Sequence, residues 1–303
     1  MIKAEIESSV TLGNLSQWFG VCYKCHHALP PLDVTATPYF ELGAIECVGC
    51  HGKVDLWECV KSSVGDDYPP EWGLHSLGAN LNIFPFEVRP GQVVTVDLTQ
   101  HGIPANAILL YSSYQSDDVS SIPRLIELYS KHLAYEPSRQ AVYCMPVQGR
   151  SMEPGPGRAT ICWIERATDS QASLRLANAF RDVAAHDLEG AVVEAFSGFE
   201  IALFTFLSRY LERTCTSTTF RRALEGRLSA YAMMELLPEI CEEHKLPSPP
   251  KAVTTTLHGL RQCRNNLLHK GRGQAVTASL VGEFLSAALV GVAFIRYVEQ
   301  RAV

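Results

Sequence analysis

The chain has 303 residues, 47% of them apolar and 19% charged, with a formal net charge of -6. Such a length suits about two domains or three small ones, and the composition excludes a disordered tail protein or a coiled-coil rod. The acidic balance also excludes a generic nucleic-acid coat, so any polyanion must meet a local patch. That patch belongs near the end: residues 1–79 carry 4 basic and 10 acidic side chains, residues 80–168 carry 7 and 8, and residues 169–303 carry 15 and 14.

The amino terminus, with Lys3, Glu5 and Glu7, has no apolar core of a leader peptide. The most apolar run, Phe284 to Ile295, is twelve residues long, short of the ~20 that span a bilayer. Ten cysteines in such a chain point to thiols or metal ligands, and the expected address is the cytoplasm.

Residues 1–79 are short, Cys-rich and broken by Pro30-Pro31 and Pro69-Pro70. Cys22-Tyr-Lys-Cys25 and Cys47-Val-Gly-Cys50 are two C-x2-C turns with 21 residues between them. Each turn aims two thiolates at one point, and two turns complete a tetrahedral Zn²⁺ shell that would supply folding energy to a small domain. Four cysteines suggest a closed structural site. Unrelated buried thiols or two disulfides are the alternatives. His26, His27 and His51 adjoin the ligands and read as surface residues, with replacement of one cysteine ligand as the alternative. Tyr39, Phe40, Trp57 and Trp72 read as the core of this zinc ribbon, with base stacking as the alternative.

Residues 80–168 alternate apolar and polar side chains over Gln92–Leu98, Ala107–Tyr114, Ala141–Val147 and Ala159–Glu165, which predicts a β-rich, sandwich-like sensor or binding module. The spacing from Ile122 to Leu133 predicts a lone helix inserted among these strands.

From residue 169 the helical period takes over. Helices are expected over Ser170–Ala185, Leu188–Glu212, Thr219–His244, Ala252–His269 and Val276–Gln300, with Asp169 and Asp187 as N-caps and the Pro247-Ser248-Pro249-Pro250 break between the third and fourth. The fold class is therefore multidomain α+β, ending in an antiparallel all-α bundle over 169–303.

Chemistry concentrates in the fourth helix. Its apolar stripe is Val253, Leu257, Leu260 and Leu267, and Arg264 falls on that stripe, where a guanidinium is costly unless paired or set in a cleft. Asn265 and His269 share the neighbouring face, and Gly271 offers a helix stop. An interfacial arginine paired with an acid, beside an exposed histidine at a helix end, fits the same spacing. Glu200, in the very apolar second helix, is the expected partner of Arg264, with exposure at the rim as the alternative. Glu194 is expected to be exposed.

Arg264-Asn265-x3-His269, closing a helix in an all-α module of about 130 residues, resembles the R-x4-6-H motif of HEPN domains. The resemblance covers residues 170–303 only. It implies a homodimer in which two motifs face each other across the helical interface, acting as a metal-independent endoribonuclease on tRNA or mRNA. In-line attack by a ribose 2′-OH needs a base, an acid and cations on the phosphorane, and a two-fold dimer supplies two imidazoles and two guanidiniums. His269 would be base or acid, Arg264 would clamp the phosphate, Asn265 would orient one of them, and Arg261, Lys270 and Arg272 would draw in the RNA backbone. A bacterial toxin or anti-phage defence effector, whose front half recognises a trigger or substrate, is the role so implied, with a protein trigger or antitoxin as a further partner. The tyrosine by which some HEPN toxins are modified is replaced here by Gly271. Non-catalytic HEPN domains that bind RNA or a partner are the alternative.

Overall fold

The structure, a computed structural model, describes residues 22–27, 29, 38–65, 80–117, 121–126, 138–164, 171–184, 186–219, 222, 226, 228–270 and 276–302. It is mixed α/β, with a cysteine cluster in front, a β-rich middle and a helical end.

Strands β1 (Ile45–Glu46) and β2 (Lys53–Val54) pair antiparallel. Asp55 then starts helix α1 (Leu56–Gly65): its carboxylate accepts from the Trp57 N–H at 2.8 Å, satisfying a donor that the first turn leaves open.

In the middle region β3 (Asn80–Val88), β8 (Gly155–Ile164) and β5 (Ile108–Ser116) form one antiparallel sheet with β8 central. A second sheet holds β4 (Val93–Asp97), β7 (Arg139–Pro146) and β6 (Ser121–Ile126) with β7 central. Phe84, Val96, Leu98, Ile103, Tyr114, Val142, Ile161 and Trp163 fill the core they share. Two polar networks cross it. Tyr114 donates its hydroxyl to Gln140, whose amide reaches the Ser112 hydroxyl at 3.0 Å. The Trp163 indole donates to Asn82 at 2.8 Å, and the Asn82 amide donates to the His101 carbonyl at 2.9 Å.

The four expected strands are present, but the helix expected from Ile122 begins instead as strand β6; residues 127–137 lie outside the described residues. Pro123 argues the same way, since it would remove a helical hydrogen bond yet is tolerated on an edge strand, which β6 is. Gly157 is crowded from both neighbouring strands: a Cβ there would meet the Val88 side chain of β3 and lie 2.8 Å from the Gln115 carbonyl oxygen of β5. Gly157→Ala is therefore expected to cost about 1–3 kcal/mol, read as a lower midpoint in urea unfolding.

The remaining helices are α2 (Gln171–Ala184), α3 (Leu188–Thr214), α4 (Ala230–Glu243), α5 (Lys251–Lys270) and α6 (Ala278–Ala302). Asp187 caps α3 as expected, accepting from the Gly190 N–H at 2.9 Å, whereas Asp169 lies outside the described residues. Thr218, Thr219 and Arg222 are helical, but helix α4 starts afresh at Ala230, where Ser229 caps it at 3.2 Å.

The three parts read from composition become two compact units: Gly78–Ser170 forms one, while Trp18–Leu77 and Gln171–Val303 together form the other. The reason lies in α6, whose side chains from Phe284 to Ile295 are all buried. A helix apolar on every side must be covered on every side. Helices α3 and α5 cover part of it, and the front segment covers another part: Phe40 packs edge-on against Phe294 at 4.9 Å and lies 5.4 Å from Tyr297, and Glu41 pairs with Arg301 at 3.1 Å. By length and composition α3 and α6 could each cross a membrane, which the twelve-residue run did not suggest. Within the protein, 50% of the most apolar window of α3 and 72% of that of α6 are buried.

Candidate functional site

The four cysteines Cys22, Cys25, Cys47 and Cys50 converge, with all four sulfurs within 4.8 Å of one another. The Cys22–Cys50 and Cys25–Cys47 sulfurs are 4.0 and 3.6 Å apart. Those spacings bracket about 3.8 Å, the edge of a tetrahedron with 2.3 Å metal–sulfur bonds, and all four cysteines are free rather than joined as disulfides. The two turns repeat one backbone pattern. The Cys22 N–H donates to the His27 carbonyl and the His26 N–H to the Cys22 carbonyl, both at 2.8 Å. Likewise the Cys47 N–H donates to the Gly52 carbonyl at 3.1 Å and the His51 N–H to the Cys47 carbonyl at 2.8 Å.

Each turn closes through a histidine in the left-handed region, His26 at φ 58° and His51 at φ 53°. Their imidazoles are exposed and, among the described residues, the converging group is the four thiols alone. Gly49 permits the turns to approach, since a Cβ there would lie 2.5 Å from His27 Cβ. Gly49→Ala is expected to push the turns apart and weaken metal affinity about tenfold or more, measured by competition with a chromogenic chelator.

Electrostatics suit the cluster to a cation. Burial opposes the Cys47 thiolate, yet the Cys50 and Gly49 N–H groups and the neighbouring thiols bring it down to about 7. At Cys25 the His27 N–H favours the thiolate, but burial and the three other thiols outweigh it and push it up to about 12. Four thiols this close cannot all ionise alone, and a bound divalent cation lifts that restriction. Tyr39, Phe40 and Trp57 are buried, Phe40 against α6 rather than within a core of the cysteine region alone; Trp72 lies outside the described residues.

The second constellation lies on α5. Val253, Leu257 and Leu260 are buried, and the stripe fades toward the end, where Arg264, Asn265 and Leu267 are half-buried and His269 is exposed. The Arg264 guanidinium lies over the Phe196 ring of α3, 5.7 Å from its centroid, and donates to the Asn265 side-chain oxygen at 3.1 Å. One turn earlier, Arg261 lies over Tyr231 of α4 at 5.1 Å. The Nε atoms of both arginines are buried and have no hydrogen-bond partner among the described residues. Lys270 closes α5, but its side chain lies outside the described residues, as does Arg272.

The expected Glu200–Arg264 pair is not formed: among the described residues neither makes an ion pair, and Glu200 is half-buried one turn beyond Phe196. An aromatic face holds the cation without desolvating a carboxylate. Glu194 is not the exposed acid it was expected to be. Its side chain is 20% exposed, paired with Arg175 at 2.9 Å and within 3.4 Å of the Asn178 amide. Phe196 and Tyr231 were missed because aromatic residues in an apolar helix read only as core. Cys59 is buried, and burial pushes its thiol up to about 12, which suits a packing role.

Compared with known proteins, the chain matches no family model, no curated protein and no solved structure.

Proposed function

We propose that the chain is a metal-independent endoribonuclease of the HEPN type, held by a structural Zn²⁺ at Cys22, Cys25, Cys47 and Cys50. The zinc assignment rests on the donor set: four thiolates at tetrahedral spacing suit a soft-tolerant d¹⁰ cation and leave no open position for chemistry.

The observation that carries the nuclease reading is the Arg264 guanidinium. It is fixed by Phe196 and Asn265 at the half-buried end of α5, five residues before an exposed His269. A guanidinium so oriented offers a planar fork to a phosphate. Two protomers meeting along this end of the bundle would bring two such forks and two imidazoles around one ribose-phosphate linkage. One imidazole takes the proton of the 2′-OH as its oxygen bonds to phosphorus. The P–O5′ bond breaks, and the second, protonated imidazole gives its proton to the leaving 5′-oxygen, so the products are a 2′,3′-cyclic phosphate and a 5′-hydroxyl. Arg264 of each protomer neutralises the phosphorane, and Asn265 keeps that guanidinium in place. Arg261, Lys270 and Arg272 are the proposed backbone contacts. Ten cysteines, none of them joined in a disulfide, fit a cytoplasmic protein.

The test is incubation with end-labelled tRNA and total RNA, in EDTA at a concentration that leaves the zinc content unchanged by metal analysis. Cleavage leaving 2′,3′-cyclic phosphate ends, and lost in His269→Ala and Arg264→Ala, supports the reading. RNA that stays intact while it shifts on a gel replaces it with non-catalytic binding.

A further inference from the structure

The β module carries a face that its own core does not use. Along β7 the side chains of Gln140, Val142 and Cys144 point into the core, so Ala141, Tyr143 and Met145 point out. Strand register aligns their neighbours across the sheet. Tyr143 sits opposite Val93 of β4 on one side and Arg124 of β6 on the other, and Met145 sits opposite Ile122. Val93, Ile122 and Tyr143 are 55%, 46% and 36% exposed. Met152 joins them at the edge, 61% exposed, with its methyl 3.6 Å from the Cβ position of Gly91.

A patch of aliphatic, aromatic and thioether side chains flanked by arginine has the composition of a protein interface. Nucleic acid suits it less: aliphatic side chains give bases nothing to stack on, and residues 80–168 hold 7 basic against 8 acidic side chains. Three strands 4.7–4.9 Å apart make a surface about 10 Å wide, the diameter of one α-helix. The charge on the face has one sign to offer. Asp97 is taken by Arg139, at 3.7 Å. Arg124 is exposed and forms no ion pair among the described residues.

We propose that the outer face of the β4–β7–β6 sheet docks an amphipathic helix of a partner protein, with apolar residues on one side laid over Val93, Tyr143, Met145 and Ile122, and a carboxylate meeting Arg124. This site is independent of the nuclease reading, since it uses no residue of the helical region.

The probe is a phage-displayed library of random 16-residue peptides, selected on the full chain with its zinc. Enriched peptides should carry apolar residues three and four apart with Asp or Glu beside them. As labelled peptides they should bind about tenfold more weakly to Tyr143→Asp and to Arg124→Glu, and equally to Arg264→Ala. A lysine placed for the acid should restore affinity to Arg124→Glu alone. Far-UV circular dichroism and melting temperature check that both outward-facing variants fold. The inference falls if nothing enriches, if the selected peptides are basic, or if they bind both sheet variants as well as the wild type. It also falls if Tyr143→Asp turns a dimer into a monomer by light scattering, because a second copy would then cover the face. Loss of RNA cleavage in His269→Ala bears on the nuclease alone and leaves this result standing.

Discussion

Removing the metal with a strong zinc chelator is expected to unfold the cysteine turns and to lower the melting temperature of the helical region with them. Structural zinc contributes roughly 10–16 kcal/mol in small zinc-binding peptides, comparable to the entire stability of a typical domain. The effect spreads because the turns lead into the cover of α6. Without them Phe40, Leu56 and Val60 lose their places, and each buried apolar side chain of this size is worth about 1.5–3 kcal/mol. Cys22→Ser should act in the same direction. Protons compete with the metal for every thiolate, so affinity falls as pH falls. Cys47, brought down to about 7, ionises more readily than Cys25, which is pushed up to about 12 and depends on the cation. Thermal melts followed at 222 nm, with and without chelator and between pH 5 and 8, check both parts. An unchanged melt, with four thiols titratable in the untreated protein, would rule out the metal's structural role.

Arg264→Ala and His269→Ala are each expected to lower RNA cleavage about 10²-fold or more, in line with the loss of a phosphate clamp or a general acid–base group. Arg264→Lys should recover little, because an ammonium lacks the planar fork and stacks less well on Phe196. Phe196→Leu should keep the helix packed while loosening the guanidinium, giving an intermediate rate with unchanged far-UV circular dichroism. The predicted order is wild type, Phe196→Leu, Arg264→Lys, Arg264→Ala. Dilution adds a second reading: a site built from two protomers loses specific activity as the protein falls below its dimer dissociation constant, whereas a site within one chain does not. Equal activity in all four proteins would dismiss Arg264 from the chemistry.

The convergence of the four cysteines was legible in the sequence because C-x2-C is local: the turn that aims the sulfurs is contained in the motif itself. Helix α5 was legible through its stripe, and Asp187 through its capping role. What could not be read were choices decided by distant residues. The partner of Arg264 was sought among acids, since charge is visible in a sequence, but a ring on α3 took it. Ile122 to Ile126 has helical spacing on paper and joins a sheet because β7 offers it an edge. Strand β3 is not among the expected strands, and its Pro85 is harmless because the strand is paired on one side only. The three-way division by charge and texture could not see that an all-round apolar α6 would need residues more than two hundred positions earlier to cover it.

That cover makes the four-cysteine head and the helical tail one discontinuous domain, with the sheet module as an insertion between its halves. Excising residues 80–168 and bridging the gap is then the cut that respects the core. A fragment beginning at Gln171 would leave one flank of α6 greasy and naked, and should aggregate where the excised protein stays in solution.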